Sequence, residues 1–276
     1  TAFTGGLNFA DEYINRKQRC GVWKDTGLML KGPGVYPLTV TFLKMWDFVA
    51  GTTTPYTDYM PLGEYEADGY VQPYCDSPLD GEAVAESAYL NVLQHARDYV
   101  YIVTPYLIVD NEMVTALCLA AKSGVDVRIL LDGLGRFYSF RTPVRKIAKA
   151  GARVAYFLPP RLFPPNLMIN LRDHRKLLVC DDVAFTGGMN IADYHVVLPG
   201  RRHCVQDMQF CCQGPITREL RRAFLMDWGF ATGKYDTALP ERSPERVGRS
   251  LCRIVMDGPG GSTDPLNDLI AGSISN

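Results

Sequence analysis

The residues best equipped for chemistry lie in one 17-residue stretch, 174–190, His-Arg-Lys-Leu-Leu-Val-Cys-Asp-Asp-Val-Ala-Phe-Thr-Gly-Gly-Met-Asn. His174 and Lys176 are two apart, and residues i and i+2 of an extended strand point to the same face. The spacing therefore puts an imidazole and an ammonium on one surface. Asn190 adds an amide that both donates and accepts. Gly187 and Gly188 let the backbone come close to a ligand or adopt φ > 0. A base or nucleophile, a cation, an amide and bare backbone suit a phosphate group. Lysine neutralises it, asparagine and backbone N–H groups bind its oxygens, and histidine attacks the phosphorus. A buried hairpin that merely carries His and Lys is the alternative.

These residues need a scaffold, and the pattern around them predicts one. Leu177–Val179 reads as an apolar strand, Asp181-Asp182 as a turn, and 183–186 as a second strand. Asp181 is expected to hold that turn rather than meet substrate. Upstream, 71–74 reads as a short strand and 82–97 as a helix. Residues 99–103 read as a strand stopped by Pro105. Asp110 is a helix N-cap, and Met113, Leu117, Ala120 and Ala121 form a stripe ended by Gly124. Residues 125–131 read as a buried parallel strand, 141–150 as a helix ended by Gly151, and 152–157 as a strand. Strand–helix–strand–helix–strand implies an α/β layered architecture with right-handed crossovers. Residues 158–166 carry Pro159, Pro160, Pro164 and Pro165 and read as a stiff loop. Residues 214–229 read as a closing helix whose Leu220, Phe224, Leu225 and Trp228 share a core-packing face.

The opening of the chain recurs later. Residues 2–11 match 184–193 at an offset of 182, with Gly6 and Asn8 corresponding to Gly188 and Asn190. The same offset relates Asp25 to Asp207, Gly32-Pro33 to Gly214-Pro215, Phe42 to Phe224 and Trp46 to Trp228. So long a period indicates duplicated domains rather than a solenoid. The first copy has no His-x-Lys. Residues 253–259 resemble 71–78 and read as the start of a further repeat. Four segments are therefore expected: 1–48, the C-terminal part of a first repeat; 49–68, a Thr/Pro/Tyr/Gly-rich linker; 69–240, a complete repeat; and 241–276, a tail.

Composition narrows the function classes. The 276 residues carry 29 Lys+Arg against 30 Asp+Glu, a net charge of −1. This gives no electrostatic case for a nucleic-acid partner. Eight cysteines occur without zinc spacing, and Cys118 and Cys180 read as small hydrophobes in a reducing, cytosolic compartment. No carboxylate cluster has metal-ligand spacing. No apolar run approaches the roughly 20 residues of a membrane span, and no signal peptide is evident.

His-x-Lys-x4-Asp followed by Gly-Gly-x-Asn resembles the signature of the phospholipase D superfamily. The flanking Asp173-His174-Arg175-Lys176, Thr186–Tyr194, Thr104-Pro105-Tyr106 and Trp23-Lys24-Asp25 are most similar to bacterial cardiolipin synthases. The resemblance implies a phospholipase D-like α/β fold, a mixed sheet flanked by helices, with duplicated domains of which the first is truncated here. It implies transfer of a phosphatidyl group from phosphatidylglycerol through a phosphohistidine, with hydrolysis of phospholipid or nucleic acid as the alternative activity and a non-catalytic scaffold as the alternative class. His174 is then the nucleophile or its acid–base partner. Lys176 and Asn190 bind phosphate oxygens, Gly187 and Gly188 (with Gly6 and Asn8 of the first copy) line the substrate, and Asp207 fixes the imidazole tautomer. No cofactor or metal is expected. The partners implied are phospholipid and a membrane surface, at the cytoplasmic face of the bacterial cell membrane. A second His must come from a further segment or a second chain. His95, His195 and His203 are weaker candidates; His95 reads as structural, the other two as surface residues.

Overall fold

The computed structural model describes residues 1–5, 11, 16–17, 27–63, 65, 71–77, 79, 81–135, 141–160, 173–195, 207–235, 245 and 254. Two compact units are present. One comprises 1–88 with 194–208, the other 89–193 with 209–276.

The second unit holds a six-stranded mixed sheet in the order β5-β4-β3-β6-β7-β8. Strands β3 (Tyr99–Thr104), β4 (Asp126–Asp132) and β5 (Arg153–Phe157) run parallel. Helices α3 (Asn111–Lys122) and α4 (Arg141–Lys149) supply the crossovers between them. Asp110 caps α3 by accepting the Met113 N–H at 2.9 Å, and Gly124 and Gly151 leave the two helices at positive φ, as their sequence positions predict. Strands β6 (Leu177–Cys180), β7 (Val183–Gly187) and β8 (Gln209–Gln213) then add as an antiparallel meander on β3. Asp181 makes the β6–β7 turn with φ 48°, a conformation that Asp tolerates better than most side chains.

Alternation along the strands builds two cores. Tyr101, Val103, Leu130, Phe157, Leu177, Val179 and Ala184 pack with Leu220, Phe224, Leu225 and Trp228. The last four come from α5 (Ile216–Thr232), which covers this face of the sheet. Val100, Ile102, Ile129 and Leu131 point the other way and are fully buried, on the side of α3 and α4.

The first unit contains an antiparallel pair, β1 (Ala2–Gly5) with β2 (Gly27–Leu30), and helix α1 (Val35–Ala50). Helix α2 (Val84–Gln94) begins in this unit and ends in the other. The duplication read from the sequence is present in the backbone. Ala2 pairs with Leu30 and Gly5 with Gly27; adding 182 gives Ala184 with Cys212 and Gly187 with Gln209, the pairs found between β7 and β8. Gly32 (φ 94°) precedes α1 as Gly214 (φ 90°) precedes α5, conformations open chiefly to glycine. Gly51 (φ 65°) and Gly233 (φ 70°) end the two helices at the same offset. Phe42 stacks on Trp46 at 6.0 Å, as Phe224 does on Trp228 at 5.7 Å.

Three expectations need correction. Residues 71–74 join no strand among the described residues; Pro73 has no N–H to give a ladder. His174 and Lys176 lie just before β6, not within it. His195, expected at the surface, is 4% exposed at the end of a short 3₁₀ turn, Asp193–His195. Residues 52–56, read as linker, are tied to the end of α1: Asp47 accepts from Thr52, from the Thr54 N–H and hydroxyl, and from Tyr56.

Candidate active site

The register of the sheet gathers several chain segments at one end. Val103 of β3 pairs with Leu177 at the start of β6, and Leu177 pairs with Thr186 near the end of β7. The exits of β3 and β7 therefore flank the point where His174-Arg175-Lys176 enters the sheet. The exit of β4, at Asp132, is on the same edge, since Thr104 pairs with Leu131. Ligands of open α/β sheets commonly sit outside the carboxyl ends of such strands. The loop after β3 is pinned to the segment after β7. Ile108 N–H donates to Ile191 O at 3.3 Å, and Asp193 N–H to Ile108 O at 2.8 Å. Asn190, half-buried, stands immediately before this splice.

His174 is exposed and Lys176 is 8% exposed. Lys176 Nζ lies 2.7 Å from His174 Nδ1 and 3.3 Å from Nε2, and donates to the His174 carbonyl at 2.7 Å. An ammonium has donors only. The ammonium can therefore donate to whichever ring nitrogen bears no proton. Tyr106 stands edge-on to the imidazole, with ring centroids 6.4 Å apart. Thr104 fixes the Tyr106 backbone by donating its hydroxyl to the carbonyl at 2.8 Å.

The alternate residues, Asp173 and Arg175, make a second set of contacts. Asp173 is 3% exposed, and its N–H donates to Asp132 Oδ2 at 3.2 Å. Asp132 uses Oδ1 to accept from Leu134 and Gly135 N–H groups. Arg175 N–H donates to Asp173 Oδ1 at 3.2 Å, and its guanidinium lies 3.7 Å from the same oxygen. The guanidinium also donates to Asp227 of α5. Burial pushes the Asp173 carboxyl above its ordinary range, against the pull of Arg175. Burial likewise pushes Asp227 up to about 6, with Arg175 opposing and Asp173 adding to the rise.

Of the residues proposed from sequence, the structure brings His174 and Lys176 into contact and puts Gly187, Gly188 and Asn190 at the same edge of the sheet. It separates Asp181 from them. That residue lies at the other end of β6, five residues of chain or roughly 16 Å from Lys176 at about 3.3 Å per residue. Its carboxylate accepts the N–H groups of Arg97, Asp98 and Tyr99 at 2.8, 3.1 and 3.0 Å. Asp207 falls in the first unit, is exposed, and accepts the Met208 N–H at 2.7 Å. His95 is exposed beyond α2 and bonds the Asn91 carbonyl. Gly6, Asn8, Asp25, His203, most of the proline loop and nearly all of the tail lie outside the described residues.

Sequence reasoning missed the roles of Tyr106, Asp132, Asp173 and Asp227. Two signals were available. Asp132 ends the apolar run Ile129–Leu131, and Asp227 interrupts the apolar face of α5 between Phe224 and Trp228. Among the described residues no group of His, Cys, Asp and Glu is placed to hold a metal.

The family described as "Cardiolipin synthase, PLD-like domain" matches residues 89–228. The chain belongs to this phospholipase D-like family. The phospholipase D-like chain is 43% identical over 207 residues to an uncharacterized protein of Streptococcus mutans serotype c, covering 70% of this chain and 41% of that one. It is 30% identical over 203 residues to cardiolipin synthase 2 of Bacillus cereus, covering 70% and 37%. To a cardiolipin synthase of Geobacillus sp. it is 34% identical over 203 residues, covering 70% and 38%. The chain thus spans about two fifths of the length of these relatives. Among solved structures, the phospholipase D family member Nuc of Salmonella typhimurium is similar with a TM-score of 0.41 and 19% identity, over 53% of this chain and 88% of that one.

Proposed function

We propose that this chain carries one half of the active site of a phosphatidyltransferase of the cardiolipin synthase type, acting on phosphatidylglycerol at a membrane surface. The observation that carries the reading is the exposed His174 imidazole held against the Lys176 ammonium at the end of the sheet. The cardiolipin synthase relatives supply the substrate class. Residues 1–48 are then the closing part of a first repeat, and 69–240 a whole one.

The chemistry follows from this pair. A bound phosphodiester attracts the Lys176 ammonium to a nonbridging oxygen and so frees the imidazole. An imidazole nitrogen of His174 that bears no proton attacks phosphorus. The bond from phosphorus to the glycerol oxygen breaks, and a second imidazole protonates the departing alkoxide. That imidazole then takes the proton of the acceptor alcohol, whose oxygen displaces His174 by breaking the P–N bond. Lys176, Asn190 and the backbone beyond Gly187 stabilise the charge on the equatorial oxygens. For attack through Nε2, Nδ1–H needs an acceptor to hold the tautomer. The second imidazole comes from another repeat or another copy of the chain.

The test is incubation of the longer protein that carries this chain with phosphatidylglycerol bilayers. Glycerol released together with cardiolipin is expected. Phosphatidic acid instead would assign hydrolysis. Full turnover by a His174→Ala protein would overturn the mechanism.

A further inference from the structure

We propose that Asp227 is a positioning residue, which, through Arg175, holds the His174–Lys176 segment at the angle its chemistry needs. The inference rests on the function proposed above and adds a residue that the signature around His174 does not contain.

Three observations carry it. The first is the pairing of contacts. Along 173–176, Arg175 bonds Asp173, while Lys176 touches His174. Whatever grips the first pair sets where the second pair points. The second is that the grip has two anchors on separate elements. Asp132 at the exit of β4 accepts the Asp173 N–H, and Asp227 on α5 accepts from the Arg175 guanidinium. Arg175 also reaches Asp173 Oδ1 at 3.7 Å, which closes the chain Asp132–Asp173–Arg175–Asp227. Residues 173–176 join no ladder among the described residues, so these contacts stand in for strand pairing.

The third observation is the duplication. The position in α1 that corresponds to Asp227 is Met45, since 227 − 182 = 45. Its helix keeps the same glycines, the same stacked Phe and Trp, and the same C-cap. The helix therefore does not require a carboxylate there. A 9%-exposed acid on the apolar face of α5 is costly in itself, and it pairs with the residue between His174 and Lys176. The acid serves that segment rather than the helix.

The experiment uses the longer protein that carries this chain, with phosphatidylglycerol vesicles for turnover and ¹⁵N-histidine NMR for the imidazole. His174→Ala identifies the resonances. Asp227→Asn is expected to lower kcat by on the order of 10²-fold, the scale of a 1 Å misplacement of a reacting group, with KM unchanged, and to shift the His174 signals. Asp227→Glu is expected to restore most of both. If Asp227→Asn fails to fold, the double variant Arg175→Gln/Asp227→Asn removes both charges while keeping hydrogen-bonding groups, and the same loss of kcat is expected of it. Wild-type His174 signals and wild-type kcat in a folded variant lacking the Asp227 charge would overturn the proposal while leaving the phosphatidyltransferase reading intact. Turnover by His174→Ala would instead remove that reading; a shift of the His174 signals in Asp227→Asn would still support the clamp.

Discussion

Lys176 Nζ lies 2.7 Å from both Nδ1 and the carbonyl oxygen of His174, so one buried ammonium holds the backbone and the ring of the same residue. In the proposed reaction the cation is thereby already in position where charge develops. Lys176→Ala is expected to lower kcat by about 10²- to 10³-fold, the scale for loss of one preorganised donor. Lys176→Arg is expected to restore little, because a planar guanidinium cannot occupy the place of a point charge between ring and carbonyl. Steady-state kinetics on phosphatidylglycerol vesicles check both; a kcat for Lys176→Ala within threefold of wild type would remove the lysine from the mechanism.

The Asp227 carboxyl, raised by burial to about 6, gives stability a pH signature. In the unfolded chain it titrates near 4. Between about pH 4 and pH 6 the folded state therefore holds more protons than the unfolded state, and stability falls as pH rises through that window. Above it the contribution levels off. Asp173, also raised, has the same sign. The stability difference between wild type and Asp227→Asn, from urea unfolding across pH 4–7, is expected to move against wild type up to about pH 6 and then flatten. A difference that does not change with pH would show that the two states bind the Asp227 proton equally.

Asp181, seven residues beyond His174, belongs to the signature but sits at the far end of β6. Its carboxylate gathers three consecutive N–H groups, those of Arg97, Asp98 and Tyr99, where the chain enters β3. Hydrogen bonds to a charged acceptor contribute roughly 1.5–3 kcal/mol. Asp181→Ala is expected to destabilise by about 2 kcal/mol or more, visible as a lower urea midpoint, with kcat of the folded fraction unchanged. A large loss of kcat at unaltered stability would return Asp181 to the catalytic group.

Much of this was legible because local signals and tertiary structure agree. Asp110, Gly124, Gly151 and the Asp181-Asp182 turn mark element ends by their own backbone chemistry, and the apolar runs of β4 and β6 could only be buried. The motif gave His174 and Lys176 together because two-residue spacing survives any extended conformation, whether or not a strand is formed. What was illegible depends on long-range pairing. Nothing near Asp227 in sequence announces Arg175, 52 residues away. The position of Tyr106 beside the imidazole requires knowing that β3 and β6 are neighbours. His195 misled because a histidine in a loop is more often exposed, whereas here it is 4% exposed.

The duplicated helices permit one further test. Phe42 and Phe224 occupy the same position of the repeat, yet Phe42 is 61% exposed and Phe224 fully buried against Tyr101 and Trp228. In this chain Phe224→Ala is expected to cost about 3–5 kcal/mol, as for other buried aromatics, and Phe42→Ala about 0.5 kcal/mol, as at a surface. If residues 1–48 close a first repeat, the α1 face is a core face, and strands equivalent to β3–β6 cover it in the longer protein. There the cost of Phe42→Ala is expected to rise toward that of Phe224→Ala. Denaturant unfolding of both variants in both chain lengths decides the matter. A cost that stays near 0.5 kcal/mol in the longer protein would mean that the α1 face meets solvent or lipid, and that the first copy does not complete a domain of its own.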